Sequence, residues 1–163
     1  MVSFITQHNM YNTVLIIHSL LRWLVLLALF TGIFCAWRGY SQSRAFTNVD
    51  NAIRHWTATI AHIQLIFGIV LFSRSPVALY FWSNFSTSFG NMDLVFFGFI
   101  HTALMLLAIV LLTIGSAAAR RKARDSEKFR TMLIFFSIAL LVILIAIPWP
   151  FSPLATRPWF RPL

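Results

Sequence analysis

Four long apolar segments constrain this chain more than any other feature of its sequence. They cover about residues 13–37, 53–72, 94–119 and 132–147, and none contains an aspartate or a glutamate. A helix of roughly 20 residues, each rising about 1.5 Å, crosses the hydrocarbon core of a bilayer. The segments therefore predict an all-α fold, an integral membrane four-helix up-down bundle in which residues 1–163 form a single transmembrane domain.

The composition excludes an ordinary soluble domain. The chain is 59% hydrophobic and only 10% charged, whereas soluble domains carry about 25% charged residues. Its single cysteine, Cys35, excludes an intrachain disulfide, a covalent Cys-x-x-Cys-His haem site and a four-thiolate cluster. The formal charge of +9 would suggest nucleic acid in a soluble protein. Because the basic residues here flank apolar segments, we expect a lipid bilayer and no nucleic-acid partner.

The distribution of basic residues predicts the orientation in the membrane. Nine of the 13 lysines and arginines lie in or beside the first and third loops: Arg38, Arg44, Arg54, Arg120, Arg121, Lys122, Arg124, Lys128 and Arg130. The opposite side carries Arg74, Arg157 and Arg161. Positively charged loops stay in the cytoplasm, so both termini are expected outside.

Two stretches outside the apolar segments are also distinctive. Residues 77–92 are too short to cross a membrane, and they alternate aromatic side chains with Ser, Thr and Asn. We interpret them as an interfacial segment at the level of the lipid headgroups, between the second and third helices. The tail from Pro148 to Leu163 is rich in proline and is expected to be extended.

Three histidines fall within the predicted helices, where a polar side chain is costly and needs a partner or a function. At about 1.5 Å per residue, His18 lies roughly 8 Å and His101 roughly 10 Å below the outer ends of their helices. His62 lies roughly 15 Å below the outer end of its helix, near the midplane. In an up-down bundle the first and third helices are diagonally opposed, and the second neighbours both.

These heights make the three histidines candidate metal ligands and haem b the candidate cofactor. Two imidazoles on opposite faces of one porphyrin need matched heights, which His18 and His101 meet best. His62 pairs with either if the helices tilt or slide by about one turn. A neutral imidazole is a good iron ligand when its second nitrogen has an acceptor, such as a threonine or a backbone carbonyl. The alternative is that these histidines are hydrogen-bonding groups between packed helices.

Arg22 lies four residues deeper than His18 on the same helix face. It is a permanent cation that would neutralise a haem propionate or an anionic quinone oxygen. To reach the outer interface instead, its side chain would have to span roughly 13 Å of helix. Met105 follows His101 by four residues, as either an iron ligand or a filler of the core. His55, beside Arg54, is interpreted as interfacial.

Four pieces of the chain, in this order, resemble short bacterial membrane proteins labelled cytochrome b. They are residues 18–23, residues 62–68, the His101-centred start of the third helix and residues 147–151. The resemblance implies a four-helix haem-b protein that passes electrons within or to a larger complex. The chain is similar, more loosely, to four-helix membrane cytochromes in which histidines from facing helices hold haem near one leaflet. It departs from the two-haem forms, because it has no second matched histidine pair in the inner half.

Three functions are compatible with these features. The first is an electron-transfer subunit with one haem b in the outer half of the bilayer, receiving electrons from a quinol or a cytochrome partner. The second is a non-redox accessory subunit that docks on a larger membrane complex through residues 77–92 and the tail. The third is copper handling by the histidines with Met92 or Met105. With no acid inside a helix and no catalytic motif, a carrier or subunit is expected rather than a complete enzyme.

Overall fold

Helices account for nearly all regular structure in this chain. A computed structural model describes residues 2–159, with side chains described from Met10 onward. Within residues 2–159 there is no strand. The helices are α1 (Val2–Ser41), α2 (Asn48–Arg74), α3 (Pro76–Ser83), α4 (Phe85–Ser88), α5 (Met92–Arg121) and α6 (Asp125–Ala146). Four of them, α1, α2, α5 and α6, are long and apolar enough to cross a membrane. The predicted all-α class and the four long helices are thus confirmed.

The long helices extend beyond the apolar segments that predicted them. α6 begins at Asp125 rather than near residue 132. Its first turn carries Asp125 and Glu127, which the helix dipole favours there, and Lys128 Nζ lies 2.8 Å from Asp125 Oδ1. α1 begins at Val2 rather than at Thr13. The apolar pattern therefore located each helix but underestimated its length.

The four long helices are arranged as a ring. α1 packs against α2 and α6, and α5 packs against the same two helices. Consecutive helices run antiparallel, so α1 and α5 are diagonally opposed, as an up-down bundle requires. One end of the bundle, which we call the loop end, holds residues 42–47 and 122–124. The other, which we call the tail end, holds α3, α4 and residues 147–159.

Glycines allow the closest approaches between helices. A methyl group at Gly115 of α5 would lie 2.7 Å from Cγ of Phe135 on α6 and nearer still to its Cβ. A methyl group at Gly98, also on α5, would lie 2.6 Å from Cβ of Phe81 on α3. Small residues at such contacts are typical of membrane helix packing. Phe81 is fully buried by this contact and fixes α3 to the tail end of the bundle.

α5 contains a π-helical turn at Phe96–Ile100. The N–H of His101 consequently donates to the carbonyl of Phe96, five residues earlier, rather than to the carbonyl four residues earlier. Such turns insert one extra residue into a helix and are frequent at functional sites. In this chain the π turn ends directly at a candidate ligand.

Residues 147–159 of the tail form no helix, as predicted, but they pack onto the bundle. Trp149 Nε1 donates to the carbonyl of Leu144 at 2.8 Å, which turns the chain back along α6. Arg157 lies 3.7 Å from Asp93 and places its guanidinium 4.4 Å from the ring centroid of Phe97. Residues 147–159 therefore cover the tail end of the bundle. Arg161, which the charge count placed on this side, lies outside the described residues.

Candidate functional site

His101 is held in one orientation by the end of a neighbouring helix. It lies half-buried on α5, and its Nδ1 is 2.7 Å from the carbonyl oxygen of Ala146. That carbonyl is among the last four of α6, and the last four carbonyls of a helix have no N–H partner within the helix. A carbonyl only accepts, so Nδ1 carries the proton and Nε2 keeps its lone pair. This is the arrangement that a metal-ligating histidine requires.

His18 lies on α1 with its ring against α2. A methyl group at Gly68 would lie 3.4 Å from Cε1 and 3.9 Å from Nδ1 of this imidazole, so the glycine leaves room for the ring. Nδ1 is buried and makes no hydrogen bond within the described residues, although the backbone of Gln64 lies beside the ring. The Gln64 side chain donates to the backbone carbonyl of His18 at 2.9 Å and ties α2 to α1 here.

The diagonal helices bring the two histidines to one region of the bundle. His18 lies within electrostatic range of both His101 and Arg22, and His101 lies within range of Arg22. The rings of Phe96 and Phe97 approach the His101 ring, with centroids 5.7 Å and 6.4 Å away. Two imidazoles and one permanent cation thus lie in one region near the tail end, and the rings of Phe96 and Phe97 lie beside His101.

His62 lies elsewhere, and both of its ring nitrogens have partners. Nδ1 is 2.7 Å from the carbonyl of Ala58, one turn earlier on α2. Nε2 is 3.2 Å from the hydroxyl of Thr113 on α5. His62 is six residues from Gly68 and therefore about 9 Å farther from the tail end than the His18 ring. Its contacts are those of a histidine that joins two packed helices.

Arg22 bonds the tail instead of reaching toward the interface. Its Nη2 donates to the backbone carbonyl of Trp159 at 2.8 Å, and its guanidinium lies 5.2 Å from the ring centroid of Trp23. Trp23 in turn stacks on Trp159, with centroids 6.2 Å apart, and meets Trp149 edge-on at 6.1 Å. The cation therefore lies against the Trp23 ring and the tail, in the same region of the bundle as the two histidines.

The residues near the tail end fit haem b in part. A bis-histidine haem needs two imidazole nitrogens. The bond to Ala146 leaves Nε2 of His101 available, and the buried Nδ1 of His18 makes no hydrogen bond within the described residues. His62 does not fit, because a ligand role would break its bond to Thr113. Among the side chains described, no three His, Cys, Asp or Glu residues come together as a larger metal site would require.

The other candidates have ordinary surroundings. Met105 is half-buried and packs on the core. Cys35 is a half-buried free thiol. His55 is exposed near the loop end, and its ring meets Trp56 at a centroid distance of 5.7 Å. Met105 thus contacts the core, and His55 lies at the surface of the bundle.

The sequence reasoning treated Arg54 only as an orientation charge, and the structure gives it a larger role. Its side chain is 5% exposed and reaches across from α2 to α5. Its Nη1 donates to the carbonyl of Ser116 at 3.1 Å and to the hydroxyl of the same residue at 2.5 Å. Its Nε and Nη2 donate to Oδ1 of Asn51, at 3.2 Å and 2.9 Å respectively. Arg54 lies more than one turn inside α2, a depth that the predicted start at residue 53 concealed.

The chain matches no protein-family model, no curated protein and no solved structure at a significant level. Its function must therefore be argued from the side chains just described. The histidine region near the tail end and the buried arginine near the loop end are two places, within the described residues, where polar groups gather inside the bundle.

Proposed function

We propose that this chain is a membrane-bound b-type cytochrome, an electron-transfer subunit that holds one haem b between His18 and His101. The observation that carries the proposal is the hydrogen bond from His101 Nδ1 to Ala146, which leaves Nε2 free and directed away from that carbonyl. His18 lies within electrostatic range on the diagonal helix. The resemblance to short bacterial membrane proteins labelled cytochrome b supports the same assignment.

Haem b, when bound, supplies a one-electron iron couple whose potential depends on ligands, burial and nearby charge. The chain would set those conditions with a few groups. The Ala146 carbonyl makes the His101 imidazole a more basic ligand. Arg22 provides a permanent cation for a propionate and, by its charge, stabilises the reduced state of a nearby redox group. Phe96 and Phe97 keep water from the imidazole.

The proposed orientation places this site in the outer half of a bacterial cytoplasmic membrane. The basic residues gather at the loop end, which the positive-inside rule assigns to the cytoplasm. Both termini and the tail end are then periplasmic, and the exposed rings of Tyr80, Trp82 and Phe85 lie at the headgroup level. One haem there would exchange electrons with a quinol or a cytochrome partner near the outer leaflet, within a larger complex.

The second candidate is a non-redox accessory subunit of a larger membrane complex. It is favoured by His62, whose two nitrogens are both used in packing, and by the bond between Arg22 and the tail. On this view all three histidines hold helices together. The exposed aromatic side chains of α3 and α4 would then form the docking surface.

A reduced-minus-oxidised absorption spectrum of the purified chain, expressed with adequate haem supply, separates these candidates. The cytochrome proposal expects a sharp reduced α band and one haem per chain. His18→Ala and His101→Ala should abolish the band while the protein still elutes as a folded monodisperse species. His62→Ala, the matched control, should keep it. A featureless spectrum from well-folded wild-type protein refutes the cytochrome and favours the accessory subunit.

A further inference from the structure

A second polar region lies at the loop end, apart from the histidines near the tail end. A cavity of about 470 Å³ opens between α2 and α5, and we call it the basic cavity. Arg54, His55, Arg120 and Arg121 supply its basic groups, and Ser116 lies at its wall. Three permanent cations thus surround one space between two helices.

Arg54 carries its charge in the wall of this cavity with only neutral partners. Its donors reach the carbonyl and hydroxyl of Ser116 and the side-chain oxygen of Asn51. Arg120 lies within electrostatic range and repels it. A buried cation without a counter-ion is strongly unfavourable, and a second cation nearby increases that cost.

The acidic side chains of this chain form their salt bridges away from the basic cavity. Its four carboxylates belong to Asp50, Asp93, Asp125 and Glu127. Each is paired with a different basic residue, in the pairs Arg44–Asp50, Arg157–Asp93, Lys128–Asp125 and Arg124–Glu127. Within the described residues no carboxylate forms a salt bridge with Arg54, Arg120 or Arg121, so these three cations are open to an anion from outside the chain.

An apolar strip leads from the basic cavity toward the middle of the bundle. Leu106, Val110 and Ile114 are each about half exposed, and they share one face of α5 with Ala117, which lines the cavity. An anion with hydrocarbon chains matches this combination, since its headgroup would meet the cations and a chain would lie along the strip. Arg54 is six residues into α2, about 9 Å from the helix start, which is a depth suited to a headgroup phosphate.

We propose that the basic cavity binds the phosphate of an anionic phospholipid from the leaflet that faces the loop end. Arg54 would donate its remaining N–H to a phosphate oxygen, and Arg120 and Arg121 would close the site from the mouth. Arginine guanidinium groups suit phosphate because they present several donors in a fixed plane. The inference does not depend on whether the histidines near the tail end hold haem.

Thermal unfolding of the full chain in detergent tests the ligand class. Phosphatidylglycerol, phosphatidylcholine with identical acyl chains, and inorganic phosphate are titrated separately, and native mass spectrometry counts the lipids retained. The proposal expects phosphatidylglycerol to raise the midpoint saturably, with one tightly retained lipid, and phosphatidylcholine to do much less. Equal stabilisation by both lipids overturns it. If inorganic phosphate raises the midpoint equally and saturates at the same concentration, the ligand is a free anion and the lipid proposal is refuted.

A pair of double variants tests the location of the site. Arg120→Gln/Arg121→Gln removes two exposed cations of the basic cavity, and Arg38→Gln/Arg130→Gln removes two exposed cations at the same end of the bundle but outside it. Salt at about 0.3 M shortens the screening length to roughly 6 Å and suppresses diffuse attraction. The cavity variant should bind phosphatidylglycerol at least about tenfold more weakly, while the control should change less than about threefold. Equal losses in the two variants would mean diffuse surface charge and refute the site.

Discussion

Replacing Gly115 by alanine should destabilise the bundle, because the added methyl group has no room. It would lie 2.7 Å from Cγ of Phe135, at least 0.7 Å less than the 3.4 Å at which ordinary contacts begin, and closer still to Cβ. A rotamer change moves the Phe135 ring but leaves its Cβ fixed to the backbone of α6. Relief therefore requires α5 and α6 to move apart.

The magnitude follows from two opposing effects. Overpacking of a well-packed contact costs about 1–3 kcal/mol. Replacing glycine by alanine inside a helix returns about 0.5–1 kcal/mol, because the unfolded chain loses conformational freedom. The net cost from these ranges is about 0–2.5 kcal/mol. Because no rotamer change moves the Cβ of Phe135, we expect Gly115→Ala to fall in the upper part and to lower the free energy of unfolding by about 1–2.5 kcal/mol.

Gly68→Ala is the matched control. Its methyl group would lie 3.4 Å from Cε1 of His18, an ordinary contact, so this variant should be as stable as the wild type or slightly more stable. Unfolding of both variants in mixed micelles with increasing dodecyl sulfate, followed by circular dichroism, measures the difference. A Gly115→Ala variant as stable as the wild type, or equal losses in both variants, would contradict the close approach of α5 and α6.

Three further predictions concern single contacts. A double-mutant cycle of His62→Ala and Thr113→Ala, measured by the same unfolding assay, should give a coupling energy of about 0.6 kcal/mol and at most about 1.7 kcal/mol; additive losses would exclude a bond between these side chains. Asp50→Ala removes the N-terminal capping box of α2 and the bidentate pair with Arg44, and should cost about 1–2 kcal/mol. The hydrogen bond to Asp50 raises the pKa of Arg44. Stability that comes from a raised pKa is lost only when the pH rises through that pKa. The cost of Asp50→Ala should therefore stay constant from about pH 6 to 10 in unfolding measurements. Trp159→Ala should lower the thermal midpoint through the loss of half-exposed ring contacts worth about 1 kcal/mol, and an unchanged midpoint would mean that the tail is not docked.

The sequence predicted the number of long helices well and their ends poorly, for one physical reason. An apolar run reports where side chains tolerate lipid, whereas a helix ends where its backbone hydrogen bonds end. The charged turn at Asp125–Lys128 is helical but not apolar, so α6 starts before the apolar run does. The start of α2 was also predicted too late, at residue 53 instead of Asn48, although Thr47 and Asp50 form a capping box there.

The π turn before His101 had no local signature. Residues 96–100 are apolar and compatible with an ordinary α-helix. The turn occurs where Phe81, from a separate helix, packs on Gly98. The π turn coincides with a contact between residues that are far apart in the sequence. A short stretch of sequence that contains Gly98 but not Phe81 therefore cannot predict it.

The sequence allowed a prediction of the depths of the candidate histidines along their helices, but not of the groups that contact them. Rise per residue placed His18 and His101 at similar depths on diagonal helices. Their partners, however, involve backbone groups, such as the carbonyl of Ala146, which every residue type carries and which sequence therefore does not mark. Arg54 was missed for a related reason, because Asp50 lies one turn earlier on its helix yet pairs with Arg44.

The bond between Arg22 and Trp159 also sets an order of events during synthesis. The two residues are 137 positions apart, and all later helices lie between them. At about 5–20 residues per second, the carbonyl partner is made roughly 7–30 s after the arginine. During that interval α1 enters the membrane with a guanidinium that the finished protein surrounds with tail residues. Lipid phosphates, water or the insertion machinery must solvate it in the meantime, because its bond to Trp159 forms only after the last helix has been made.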